Sequence, residues 1–125
     1  MVPGSAGAAA LDCAVPADSQ AVFVKHGFLA FIGTGLEDCL KERGLNDLVV
    51  VGGTAKLPVE SSTRMAGNLG LAPTVIEDAP INTRRTPRDG RVMRAGDVLA
   101  MTLANPDGSF ATISSTSEVL TGLNP

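Results

Sequence analysis

The 125 residues make one domain's worth of polypeptide, and 44% hydrophobic with 18% charged side chains is a globular composition, not a disordered one. Ten Lys and Arg against thirteen Asp and Glu leave a net charge of −3, without the basic field that a phosphate backbone requires. Aromatics are 3% with no Trp or Tyr, so base stacking has no platform, and no nucleic-acid partner is expected.

In chain order, residues 1–20 read as a flexible lead-in. Met1 to Ala10 is rich in Ala and Gly but has neither a basic start nor a long aliphatic stretch, so it is not read as a signal peptide. Residues 21–125 are then the folded part. Ala21-Val22-Phe23-Val24-Lys25 has the β-branched content of a buried strand, with His26-Gly27 as the turn out of it. Thr34 and Glu37 stand in the S/T-x-x-E relation of a capping box, so a helix is expected there. Its apolar stripe is Leu36, Cys39 and Leu40, and Gly44 ends it.

Leu48 to Val51 is an uninterrupted Leu-Val-Val-Val run, the pattern of a strand covered on both faces. Gly52-Gly53-Thr54 follows, then a helix from about Pro58 to Leu69 closed by Gly70. Pro73 to Ile76 reads as a third strand leading into Glu77-Asp78-Ala79, and 82–94 as a polar, Arg-bearing loop. Val98 to Ala104 is rich in helix formers and Pro106-Asp107-Gly108 is a turn. Phe110 to Ser114 gives a last strand, and Glu118 to Leu120 a short helical tail. This alternation predicts an α/β domain whose parallel strands are joined by right-handed helical crossovers. Functional groups then belong beyond the carboxyl ends of the strands, at Lys25, at Gly52 to Pro58 and at Asp78.

Those segments resemble the isochorismatase-like cysteine hydrolases. The carrying residues are Val24-Lys25, Ala30-Phe31-Ile32-Gly33-Thr34-Gly35-Leu36, Val49-Val50-Val51-Gly52-Gly53-Thr54 and Val59-Glu60-Ser61-Ser62-Thr63-Arg64-Met65-Ala66. Val75-Ile76-Glu77-Asp78-Ala79, Asp89-Gly90, Ala100 to Asn105 and Phe110-Ala111-Thr112 continue in the same order. The resemblance implies a three-layer α/β/α, Rossmann-like fold on a parallel sheet of six strands in the order 3-2-1-4-5-6. It also implies an Asp-Lys-Cys triad hydrolysing an amide, carbamoyl or related carbonyl, with some isochorismatases working without the Cys.

The sequence departs from that pattern twice. Pro58 stands where the resemblance places the nucleophilic Cys. A proline offers no nucleophile and no backbone N–H, and the family's oxyanion hole uses that N–H together with one near Thr54. Lys25 aligns with the triad lysine, but the only acids before it, Asp12 and Asp18, lie in an Ala/Pro context with no strand, and neither is taken as the base. The chain therefore reads as an N-terminally truncated, partial domain. Its sheet would lack the strands that separate Ala21–Lys25 from the rest, and such exposed edges predict a homo-oligomer, a dimer or higher.

Each singled-out residue has a plainer reading beside the functional one. Lys25 is an anion-binding triad remnant or a solvated strand-end lysine; His26 is a turn residue, and alone it is no metal site. Gly53-Thr54 either keeps the family's cis peptide or forms a trans turn. Cys39 reads as a buried inert thiol, and Cys13 as incidental. Arg84 and Arg85, with Arg88, Arg91 and Arg94, form either a ligand loop for a small anion or a solvated charged loop. Asp78 either orients a ligand or makes a capping hydrogen bond. With no metal-type Cys spacing and no membrane-length apolar run, a cytoplasmic chain without metal or cofactor and without membrane contact is expected. The expected function is a hydrolase-family protein without cysteine-hydrolase turnover, acting as a pseudoenzyme or association partner. The alternatives are a hydrolase of small amide, carbamoyl or isochorismate-type compounds completed by another chain, and a small-anion binding module.

Overall fold

A computed structural model describes residues 14–123. The expectations for Met1 to Cys13, including those for Asp12 and Cys13, lie outside the described residues; Ala14 to Gln20, with Asp18, are exposed. The elements are α1 (Leu36–Glu42), β1 (Asp47–Val50), a π-helical turn (Ala55–Val59) running into α2 (Glu60–Asn68), β2 (Ala72–Ile76), α3 (Ala95–Ala104), β3 (Thr112–Ser114) and α4 (Thr116–Leu123). The three strands form one parallel sheet in the order β1-β2-β3. Asp47 pairs with Ala72 through to Val50 with Val75, and Thr74 pairs with Thr112 through to Ile76 with Ser114.

Two helix ends follow directly from glycine. Arg43 caps α1, Gly44 takes φ +63°, and the amides of Gly44 and Leu45 bond back to the Lys41 and Leu40 carbonyls at 3.1 and 3.0 Å. Gly70 repeats the arrangement after α2 at φ +80°, with Gly70 and Leu71 bonding to Gly67 and Ala66 at 3.0 Å each. Both are Schellman closures, in which a residue without Cβ takes the left-handed turn that satisfies the last carbonyls.

The second helical segment starts earlier than predicted, at Ala55, because the chain is already turning when it reaches Pro58. Proline has no N–H to donate to the Thr54 carbonyl four residues back. That carbonyl instead accepts from Val59, five residues on, and from Leu57, both at 3.4 Å. The missing donor thus explains why the entry turn is π-helical and why regular α geometry begins only at Glu60.

Three expectations are corrected. Ala21 to Lys25 form no strand; Val22 and Val24 are 65% and 70% exposed, because the strand-forming composition finds no neighbouring strand among the described residues. The run at Leu48 to Val51 does form β1, but it is not covered on both faces. It sits at the sheet edge, and while Leu48 and Val50 are half-buried, Val49 and Val51 are 54% and 59% exposed. The Thr34/Glu37 capping box is absent: Gly35 is the N-cap, at φ +72° with no side-chain cap, while Glu37 pairs with Lys41. Thr34 Oγ1 donates to the Ala30 carbonyl at 2.6 Å and accepts from the Leu36 amide at 3.3 Å, a local turn that draws the hydroxyl away from the cap position.

Buried side chains lie on both faces of β2, since the neighbouring residues Val75 and Ile76 are both enclosed. Phe31, Leu40 of α1 and Ala66 of α2 form a buried cluster packed with Leu36, Leu48, Met65, Leu69 and Leu71. The central strand β2 is the best buried element, with Val75 and Ile76 almost fully enclosed. Here a strand with neighbours on both sides behaves as its apolar sequence predicts.

Candidate functional site

The carboxyl end of β1 opens into Gly52-Gly53-Thr54, where the Gly53–Thr54 peptide is cis. This loop is strapped to the chain beyond β2. The Ile81 amide donates to the Gly52 carbonyl at 3.3 Å, and the Ala55 amide donates to the Ile81 carbonyl at 2.9 Å. A Cβ on Gly53 would stand 3.1 Å from Ile81 Cβ, so the close approach favours glycine there. Pro58 follows in the π-helical turn, bringing Gly53, Thr54 and Pro58 together at one helix entrance. The donors at that entrance are depleted, since Pro58 has no N–H and the Ala55 N–H is taken by Ile81.

Lys25 is not hydrogen-bonded to that entrance. Its Nζ donates to the Gly27 carbonyl at 2.7 Å and stays exposed within its own turn. His26 lines a shallow, mainly apolar cavity with Gly27, Phe28, Leu29, Ile32 and Ser61. The wall of this cavity is anchored by Ser62, whose Oγ accepts from the Ala30 amide at 3.0 Å and donates to the Phe28 carbonyl at 3.4 Å.

The arginine loop is exposed at Arg84, Arg85, Arg88, Arg91 and Arg94. It closes on itself by the exchange of two backbone hydrogen bonds between Arg85 and Met93, at 3.2 and 2.8 Å. Sequence reasoning missed the residue that ties this loop to the helix entrance, Lys56. Its Nζ donates to the Thr83 carbonyl at 2.8 Å, to the Thr83 hydroxyl and to the Arg84 carbonyl at 3.3 Å. Partial desolvation, followed by the neighbouring Arg85 charge, lowers the Lys56 pKa below its ordinary value. No local signal marks Lys56, because its partners lie 27 and 28 residues away.

Asp78 takes the capping role that was one of its two readings. Its carboxylate accepts from the Thr116 hydroxyl at 2.7 Å and the Thr116 amide at 3.0 Å, holding the start of α4. Those two bonds, the hydroxyl first, hold its pKa below the usual carboxylate value. Beside it lies a capping box at Ser115 and Glu118: the Glu118 carboxylate accepts from the Ser115 amide at 2.9 Å, and Ser115 Oγ accepts from the Glu118 amide at 3.3 Å. Ser115-Thr116-Ser117-Glu118 carries the same S/T-x-x-E spacing as Thr34 and Glu37, so the signal was there to be found. Hydrogen bonds from the Ser115 amide, then from the Ser114 and Ser115 hydroxyls, lower the Glu118 pKa.

Cys39 is half-buried on α1 instead of fully enclosed. Among the described residues no group of three or more His, Cys, Asp or Glu side chains is placed to share a metal, and no helix is long and apolar enough to cross a membrane.

A parallel sheet with crossover helices and a glycine-rich loop at the carboxyl end of β1 defines the Rossmann-like α/β class. The Isochorismatase domain family model matches residues 1–103. The chain is 30% identical over 118 residues to the isochorismatase family protein YrdC of Bacillus subtilis (strain 168), covering 94% of this chain and 63% of that protein. Among solved structures, an isochorismatase-family protein from Chromobacterium violaceum ATCC 12472 superposes with a TM-score of 0.93 at 39% identity, covering 97% of this chain and 63% of that one. An isochorismatase from Pseudomonas putida KT2440 does so with a TM-score of 0.82 at 28% identity, over 86% of this chain and 55% of that one. The chain belongs to the isochorismatase family and has its α/β/α fold. It spans a little under two thirds of the length of these relatives.

Proposed function

We propose that this chain is an isochorismatase-family protein without cysteine-hydrolase turnover. The observation that carries the reading is Pro58 at the helix entrance beside Gly53 and Thr54. In the family pattern that slot holds a thiolate and donates an N–H to the oxyanion; proline supplies neither. Loss of one oxyanion donor alone costs about 2.7–4 kcal/mol of transition-state stabilisation. The hydrogen bond from Ala55 to Ile81 removes a further donor from the same turn, and Lys25 is engaged with Gly27. Cys39 does not replace the missing nucleophile, since it sits half-buried on α1, an element that does not carry the Gly53-Thr54-Pro58 entrance.

A second reading is hydrolysis of a small amide, carbamoyl or isochorismate-type compound, with the absent groups supplied by another chain. Likeness to the Chromobacterium violaceum protein, described as a hydrolase of the isochorismatase family, favours it. The two are separated by assaying purified protein on nicotinamide, a carbamoyl amide and isochorismate. The expected rate is that of the buffer blank, for the wild type and for Pro58→Cys alike, because no aspartate base is matched to the family pattern. A rate that survives repurification establishes the second reading. Activity gained only in Pro58→Cys shows that a base is present after all.

A further inference from the structure

Residues 84–93 form a hairpin that is closed within itself and fastened to the rest of the chain at its feet. Arg85 and Met93 exchange both backbone hydrogen bonds, at 3.2 and 2.8 Å, and the Gly90 amide donates to the Pro87 carbonyl at 3.0 Å. At the tip the Asp89 carboxylate accepts from the Arg91 amide at 3.0 Å. These internal bonds let the hairpin move as one piece. Asn82 Nδ2 donates to the Ala95 carbonyl at 3.1 Å, which joins the two feet into a hinge. Just before it, the hydrogen bonds of Ile81 with Gly52 and Ala55 hold the chain against the helix entrance. Lys56, on the entrance turn itself, reaches across to the first foot. Its Nζ donates to the Thr83 carbonyl, the Thr83 hydroxyl and the Arg84 carbonyl.

Two effects act against that tie. The ammonium gives up part of its hydration to reach the foot, and it comes to rest near the like charge of Arg85; in that order the two depress its pKa. Charge-assisted hydrogen bonds to three oxygens act in its favour. Strong bonds set against desolvation and like-charge repulsion leave the contact poised between a closed and an open arrangement.

We propose that the 84–93 hairpin is a flap latched against the helix entrance by Lys56, with Arg85 as the counterforce that lets it open. Lys56 lies between Thr54 and Pro58, so the closed latch shuts the gap between that turn and Thr83-Arg84, and its release opens the gap. Lys56 is in this sense a positioning residue, acting on the entrance through the flap.

Limited digestion with trypsin reads the latch, because the bond after Arg84 contains a carbonyl that Lys56 holds. Cleavage there requires the foot to leave Lys56, whereas the bonds after Arg88 and Arg91 carry no such hold. Mass spectrometry gives the ratio of first cuts at Arg84 to first cuts at Arg88 and Arg91. Each ratio is normalised to a free peptide of residues 80–96 with the same substitution. Lys56→Met should raise the ratio about tenfold, Lys56→Arg should leave it within about twofold of the wild type, and Arg85→Gln should lower it about threefold. An unchanged ratio in Lys56→Met overturns the proposal, as does a ratio in Lys56→Arg equal to that of Lys56→Met. An unchanged or higher ratio in Arg85→Gln overturns it too. So does a gain at Arg84 matched by an equal gain at Arg64 within α2, which means that the variant opens globally and not at the flap. Backbone cleavage and not turnover is measured, so the latch and the catalytic reading stand or fall separately.

Discussion

At the level of single residues, the firmest contacts are those made by α2. Arg64 reaches Glu60 with Nε and Nη2 at 3.2 and 3.0 Å and lies over the Phe110 ring at 5.1 Å from its centroid. Glu60 also accepts from Asn105 Nδ2 at 3.2 Å, so one carboxylate links α2 to the end of α3. Between them, Gly67 lets the helix backbone lie directly against the turn before β3: a Cβ there would stand 2.6 Å from the Phe110 carbonyl oxygen and 3.0 Å from its Cα. These neighbours are backbone atoms and cannot swing aside. Gly67→Ala should therefore destabilise the protein by about 1–3 kcal/mol despite the better helix propensity of alanine, read as a lower urea midpoint. A midpoint raised above the wild type would show that α2 does not pack this closely. Gly67 gave no sign of this in sequence, since a lone glycine within a helical stretch is equally compatible with plain tolerance.

The end of α4 nearest β3 is the element whose fixing is most explicitly electrostatic. Asp78 and the Ser115/Glu118 box supply acceptors to its first turn. Both carboxylates have pKa values depressed on folding, Asp78 chiefly by the Thr116 hydroxyl and Glu118 chiefly by the Ser115 amide. A depressed folded pKa means stability that is present above the ordinary carboxylate value and lost as pH falls through the lower folded value. Helix α4 should accordingly loosen below the ordinary values of 3.8 and 4.5, before the sheet is affected. Circular dichroism at 222 nm should show a loss of helix on acidification that is smaller in Glu118→Gln than in the wild type. Equal acid responses of the two proteins would remove the capping box from the account. Ser115 and Glu118 close a box where Thr34 and Glu37 do not; at Thr34 the hydroxyl is captured by Ala30 and Leu36 instead. Spacing alone could not choose between them, because the competing partners depend on how the chain enters each helix.

For the molecule as a whole, stability is concentrated around β2 and fades toward β1 and residues 21–25. Val75 is 1% exposed while Val49, on the neighbouring strand, is 54% exposed. Val75→Ala should cost about 2 kcal/mol, and Val49→Ala should shift stability by no more than ~0.5 kcal/mol. The two urea midpoints should differ accordingly. A Val49 cost equal to that of Val75 would mean that the face is covered within one chain.

Taken by themselves, the amino acids determined the order of elements from α1 onward, the glycine-closed helix ends at Gly44 and Gly70, the central strand at 73–76 and the family resemblance. They also placed Pro58 at a helix entrance, because the absence of a nucleophile and of an N–H is a property of the residue wherever it lies. Only the tertiary structure decided that Ala21 to Lys25 would stay unpaired, that β1 would bare one face, and that Lys56 would clasp the arginine loop. Helix closure depends on groups three to five residues apart, which the local chain always supplies. Strand pairing and long-range side-chain contacts depend on what the rest of the fold brings alongside, and no window of sequence contains that.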